Sequence, residues 1–174
     1  MKKTLLIALC SLAILFTACK KPVEPTPEPV DYTPNYVGNY LGQFSLTITS
    51  MNNQPQTGMT FPIENIGMEI AKTEQFNEII ATVTVDNESH QTSGTATAEK
   101  ADFEAVRIII DKPDQNYSFN LDLKMEGSKA TSDTLNIIGT FSGDGKITFP
   151  TPQGSQEQIF DEVSGTINGK LVKQ

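Results

Sequence analysis

Phe44, Leu46 and Ile48 alternate with Gln43, Ser45, Thr47 and Thr49, the period of two expected of a half-buried strand. The same rhythm returns along most of the chain. Phe61 and Ile63 share one parity while Ile66, Met68 and Ile70 take the other, so a bulge or corner is expected near Glu64-Asn65. Residues 78–85 are rich in Ile, Val and Thr, and residues 92–98 form a small-residue strand after the polar turn 86–91. Val106, Ile108 and Ile110 mark the next strand, and Tyr117, Phe119, Leu121, Leu123 and Met125 the cleanest one. Leu135, Ile137 and Phe141 continue the pattern, Ile147 and Phe149 follow it, and Val163, Ile167 and Leu171 close it. Turns are expected at 51–58, at 112–116, in a loop at 127–132, in a tight hairpin at Gly143-Asp144-Gly145 and at 150–154. Only residues 71–78 offer even one helical turn. Eight or nine short strands in series, each apolar on one face, describe an all-β antiparallel meander that must close on itself or stack on a second sheet. Closure removes exposed edges, so an up-and-down barrel is expected and a β-sandwich is the alternative.

The first residues break this pattern. Met1-Lys2-Lys3 is a short positive end, Thr4 to Phe16 is nearly continuous in apolar residues, and Thr17-Ala18-Cys19 closes with small ones. A run of that length with those flanks reads as a secretory signal peptide, too short to span a bilayer stably. Phe16-Thr17-Ala18-Cys19 resembles the bacterial lipobox. That resemblance implies diacylation of the Cys19 thiol, cleavage before it, and a lipoprotein held in the cell envelope, most simply at the outer membrane, with its face left open. Two acyl chains anchor stably where one binds marginally. Residues 20–34 hold five prolines, which favour an extended polyproline II segment. The expected division is therefore a signal peptide over 1–18, the lipidated Cys19 with a proline-rich tether over 19–35, and a barrel domain over 36–174.

Removal of the signal leaves 156 residues, with 11 basic side chains against 21 acidic ones and a net charge of −10. Such a balance argues against nucleic acid as a partner and against electrostatic docking on anionic lipid. Of the two cysteines, Cys10 leaves with the signal and Cys19 would carry lipid. The mature chain then has no disulfide and no cysteine-based metal site.

Tyr36-Val37-Gly38-Asn39-Tyr40-Leu41-Gly42 resembles the Gly-x-Tyr entry into the first strand of calycin-like (lipocalin-like) lipoproteins of Bacteroidetes. The resemblance spans residues 36–172 and implies a meander barrel shaped as a cup for an apolar ligand, without designating ligand residues. Lipocalins proper have Gly-x-Trp here, with a late arginine over the indole. This chain has no tryptophan, and its only arginine, Arg107, falls in a middle strand.

Candidate chemistry is sparse. His90, the only histidine, sits in the polar turn near Asp86 and Glu88 and reads as a solvated turn residue, since a catalytic or zinc-binding histidine needs partners. Asp111, Asp114 and Asn116 imitate a calcium loop but lack its glycine and distal glutamate, so turn chemistry explains them. Asp161 and Glu162 cannot flank one glycosidic bond if neighbouring strand residues point to opposite faces. Asn87-Glu88-Ser89 and Asn116-Tyr117-Ser118 match the eukaryotic sequon by chance. Asp133-Thr134-Leu135 resembles the Bacteroidetes O-glycosylation motif, which makes Thr134 a candidate modification site. No catalytic, cofactor or metal motif is present. The expectation is a non-enzymatic envelope lipoprotein that binds a small uncharged apolar ligand or an envelope partner. The alternative is a structural or assembly lipoprotein whose barrel is filled. With Phe44, Met68, Phe119, Leu121, Met125 and Phe141 inward, any lumen ligand should be uncharged, a neutral lipid or sterol-like molecule, since a fatty acid would bury an unpaired carboxylate.

Overall fold

Alternation becomes nine strands in the computed structural model, which describes residues 27–174 and folds Asp31–Gln174 as one unit. They are β1 (Gly38–Met51), β2 (Gln54–Lys72), β3 (Glu78–Val85), β4 (Glu88–Ala96), β5 (Lys100–Phe103), β6 (Val106–Lys112), β7 (Tyr117–Thr131), β8 (Thr134–Thr151) and β9 (Gly154–Lys173). All pair antiparallel in a single sheet. Strands β1 and β9 join the two ends of the chain, and β5 pairs with β7 to close the ring. The molecule is thus an up-and-down meander barrel, not a sandwich.

Strands β5 and β6 lie end to end on the same edge of β7. Lys100–Asp102 pair with Glu126–Ser128, and Val106–Lys112 pair with Tyr117–Leu123. They behave as one interrupted stave, and β5, whose four residues are too few to show a period, is the strand that the apolar pattern misses. The interruption is clipped to β4: Glu104 N–H donates to the Ser93 carbonyl (2.8 Å), and buried Thr92 Oγ1 donates to the Glu104 carbonyl (2.9 Å).

Several expected turns are strand. Only Asn52-Asn53 turns the chain after β1, and only Asp86-Asn87 after β3. All four have positive φ, between 46° and 70°, the left-handed conformation that Asn and Asp tolerate in two-residue hairpins. The rest of 51–58 belongs to β2, and most of 127–132 to β7. Within 71–78 no helical turn forms: residues 71–72 end β2, 78 begins β3, and 73–77 bend between them, with Asn77 at φ 59°. The bulge near Glu64-Asn65 is present: Phe44 faces Ile63 while Gly42 faces Ile66, with Asn65 at φ 56°. Gly143-Asp144-Gly145 is not a hairpin but runs through the middle of β8. A Cβ on Gly143 would stand 2.0 Å from the Asn120 carbonyl oxygen, and one on Gly145 would stand 2.2 Å from Cδ1 of Phe119. These glycines let β7 and β8 coil closely and let a ring lie across the bare backbone, which is how small barrels acquire curvature.

The folded unit begins earlier than the expected boundary at residue 36. Thr33–Asn35 form a 3-10 turn, and Thr33 is fully buried. The Asp31 carboxylate accepts from Thr33 N (3.0 Å), from Thr33 Oγ1 (2.8 Å) and from the Lys72 ammonium, while Tyr32 N–H donates to Asn77 Oδ1 (2.7 Å). Residues 31–35 are therefore a clasp on β2 and its bend, because short polar side chains here find fixed partners. The Lys72 hydrogen bond, followed by the two Thr33 bonds, lowers the Asp31 pKa from 3.8 to about 2. A lowered carboxylate pKa adds stability that is present above pH 4 and lost as pH falls towards 2. Asp31→Asn should thus melt below wild type at neutral pH, with the gap closing between pH 4 and 2 in parallel thermal scans. A constant gap would show that the charge is not what matters.

Candidate functional site

The lumen is the place a calycin-like cup would hold a ligand, and here apolar side chains line it. The expected inward set of Phe44, Met68, Phe119, Leu121, Met125 and Phe141 is buried throughout, within one continuous apolar cluster. A side chain bordering a water-sized void would keep accessible area towards it. Ile66, Leu121, Leu123, Met125, Leu135 and Ile137 keep 0%, whereas Phe44 and Phe119 keep 2% and Phe141 3%. Each end is also plugged. At one, Phe61 meets Tyr117 and Phe119 edge-on, with ring centroids 4.8 and 5.2 Å apart, and Tyr117 Oη donates to the Pro62 carbonyl (3.3 Å). At the other, Tyr40 Oη donates to the Tyr36 carbonyl (2.8 Å), and Lys173 Nζ donates to the Val37 carbonyl (2.8 Å), tying the last strand to the chain just ahead of β1. Burial raises the pKa of all three tyrosines, Tyr36, Tyr40 and Tyr117, so their hydroxyls stay protonated across the ordinary pH range and those of Tyr40 and Tyr117 keep donating.

His90 is not a turn residue. The two-residue hairpin at Asp86-Asn87 starts β4 at Glu88, so His90 shares the inward parity of Thr92, Gly94 and Ala96 and pairs with Val83. Its Nε2 is buried without a hydrogen-bond partner, and the Glu88 carboxylate lies 3.9 Å away. Lys112 pairs with Asp86 and ties the β3–β4 turn to the end of β6. Among the described residues no three metal-binding side chains converge, and His90 has no oriented acid to make it a base.

The remaining candidates lie apart from one another. Asp111 is the last residue but one of β6, its side chain exposed, Asp114 lies in the 3-10 turn Pro113–Gln115, and Asn116 follows it in the left-handed region at φ 64°. Asp161 and Glu162 fall at a bulge, where two residues of β9 lie against Asp144 of β8. Both are exposed there, so the opposite-face expectation does not hold at this pair. Glu162 is occupied structurally: its carboxylate accepts from Asn53 Nδ2 (2.8 Å), and its backbone exchanges hydrogen bonds with Asn52. Thr134 opens β8, half-buried, at the tip of the β7–β8 hairpin. Arg107 points outward, donating from Nε to Asn120 Oδ1 (2.9 Å). Cys19 lies outside the described residues.

No protein-family model matches the chain, and no curated protein matches it in sequence. Among solved structures it is similar to a protein of unknown function from the DUF3598 family of Nostoc punctiforme. The TM-score is 0.43 at 10% identity, over 85% of this chain and 52% of that one. The chain thus spans about half the length of that protein.

Proposed function

We propose that this is a lipid-anchored cell-envelope protein, held at the outer membrane through Cys19, whose filled barrel presents its outer surface to an envelope partner and performs no catalysis. The single observation that carries this reading is the lumen. A ligand there would have to displace packed side chains such as Leu121 and Phe119, and cores resist even added methylenes. The ligand-carrier reading is therefore set below the filled-barrel one. The anchor rests on the likeness of Phe16-Thr17-Ala18-Cys19 to the lipobox. Thr134, at an accessible hairpin, is a candidate for O-glycosylation in the same compartment.

Cys19→Ala should abolish fatty-acid labelling and move the protein out of the membrane fraction. A variant that still partitions like wild type after a high-pH wash would refute the anchor. Native mass spectrometry of the protein from its own host, with a thermal-shift screen of neutral apolar compounds, tests the barrel. Neither a retained molecule nor a shifted melting point is expected. A ligand present at a hundredfold excess over its Kd would add about 2.7 kcal/mol, so a positive result would restore the carrier reading.

A further inference from the structure

Strand β9 outruns its neighbour. β1 pairs with it only from Val163 to Lys173, so Gly154–Asp161 have β8 on one side and no ladder partner on the other among the described residues. The direction of the free groups follows from one residue. Pro150 has no N–H and stands opposite Ser155, so that pair is a non-hydrogen-bonded one. By alternation Gly154, Gln156, Gln158 and Phe160 bond to β8, while Ser155, Glu157 and Ile159 turn their N–H and C=O groups to the free edge. Residues 154–159 are all exposed.

Natural sheets guard such edges with proline, lysine or a covering element. The part of β2 that β3 leaves uncovered carries Pro55 and Pro62, and β6 carries Arg107 and Lys112. Gly154–Asp161 contains no proline and no basic residue. Its outer face instead shows Ile159, 66% exposed. Glu157 is paired with Lys146 of β8 (3.2 Å), so the negative charge along the edge comes from Asp161 and Glu162, and no Lys or Arg occurs in β9 from Gly154 to Asn168.

We propose that the Gly154–Asp161 edge of β9 is a strand-addition site for an extended, basic segment of a partner protein. This deepens the interaction-module reading and rests on it. Backbone bonding at Ser155, Glu157 and Ile159 holds the incoming strand, an aliphatic side chain of the partner covers Ile159, and partner lysines answer the acidic edge. A second copy of this chain is disfavoured as the occupant, because self-pairing sets acid beside acid on a chain of net charge −8.

The test uses the mature full chain and a synthetic peptide, Lys-Thr-Val-Lys-Val-Thr-Lys, beside a version N-methylated at alternate amides. Hydrogen exchange should show the Ser155, Glu157 and Ile159 amides slowed about tenfold or more by the peptide, with no effect from the N-methylated form. Ile159→Pro removes one edge donor and leaves the β8 ladder intact, and it should abolish the protection. The N-methylated control needs no variant to fold. Absence of protection at these amides, protection elsewhere, or equal binding of the methylated peptide overturns the proposal. Protection that grows with protein concentration alone also overturns it, in favour of a dimer. A ligand found in the barrel would refute the filled-lumen reading while leaving the exchange result to stand on its own.

Discussion

Leu121→Ala should lower stability by roughly 2–5 kcal/mol, whereas Asp122→Ala, one residue on, should change it by no more than about 0.5 kcal/mol. Leu121 keeps no accessible area and faces Ile108 on β6 and Gly143 on β8, while Asp122 is exposed on the outer wall. Removing the leucine side chain leaves a cavity that glycine on one flank cannot fill, so the loss includes packing as well as transfer to water. Urea unfolding checks this through the midpoint, with the slope unchanged if the denatured state is unaffected. Equal effects at the two positions would contradict the register of β7. The same variant probes the lumen. If Leu121→Ala binds small apolar compounds that wild type ignores, the wild-type interior is closed because it is full, not because its ends are plugged.

Gly143→Ala is the second large effect, expected to cost roughly 1–3 kcal/mol or more. The new methyl would lie 2.0 Å from the Asn120 carbonyl oxygen and 3.0 Å from the Leu121 Cα, both backbone atoms. No side chain can yield, so β7 and β8 must separate or β8 must uncoil. Gly67→Ala is the matched control in β2. Its methyl would meet only Thr84, at 3.5 Å, an ordinary contact, and its effect should stay within about 0.5 kcal/mol. Paired thermal melts decide it. A small cost at both positions would mean that the coiling at Gly143 is not held rigidly.

The Gly143 result bears on why Gly143-Asp144-Gly145 reads as a hairpin in sequence. Glycine is permitted both where a chain reverses and where two backbones approach closely, and local sequence does not distinguish the two. The opposite error occurs at His90. A polar run from Asp86 to Gln91 reads as one long turn, yet two residues suffice to reverse the chain, and the histidine is carried into the barrel wall. Residues 31–35 show a third kind. Prolines at 29 and 34 continue the composition of a tether, while the burial of Thr33 depends on Lys72 and Asn77, which lie far along the chain.

Strand parity was local and therefore legible. Side chains alternate across any strand, so Phe44, Phe119, Leu121 and Met125 could be assigned inward from their spacing alone, as could the bulge at Glu64-Asn65. The same reading yields an all-β meander and an acidic composition. Tertiary structure alone decided what depends on distant partners: that the sheet closes as one barrel, that β5 and β6 share one edge of β7, and that the inward side chains pack in one apolar cluster. It also decided that β9 runs past the end of β1. An open edge is set by the relative lengths and register of strands more than a hundred residues apart, and hydrophobic periodicity carries no record of how far a neighbour extends.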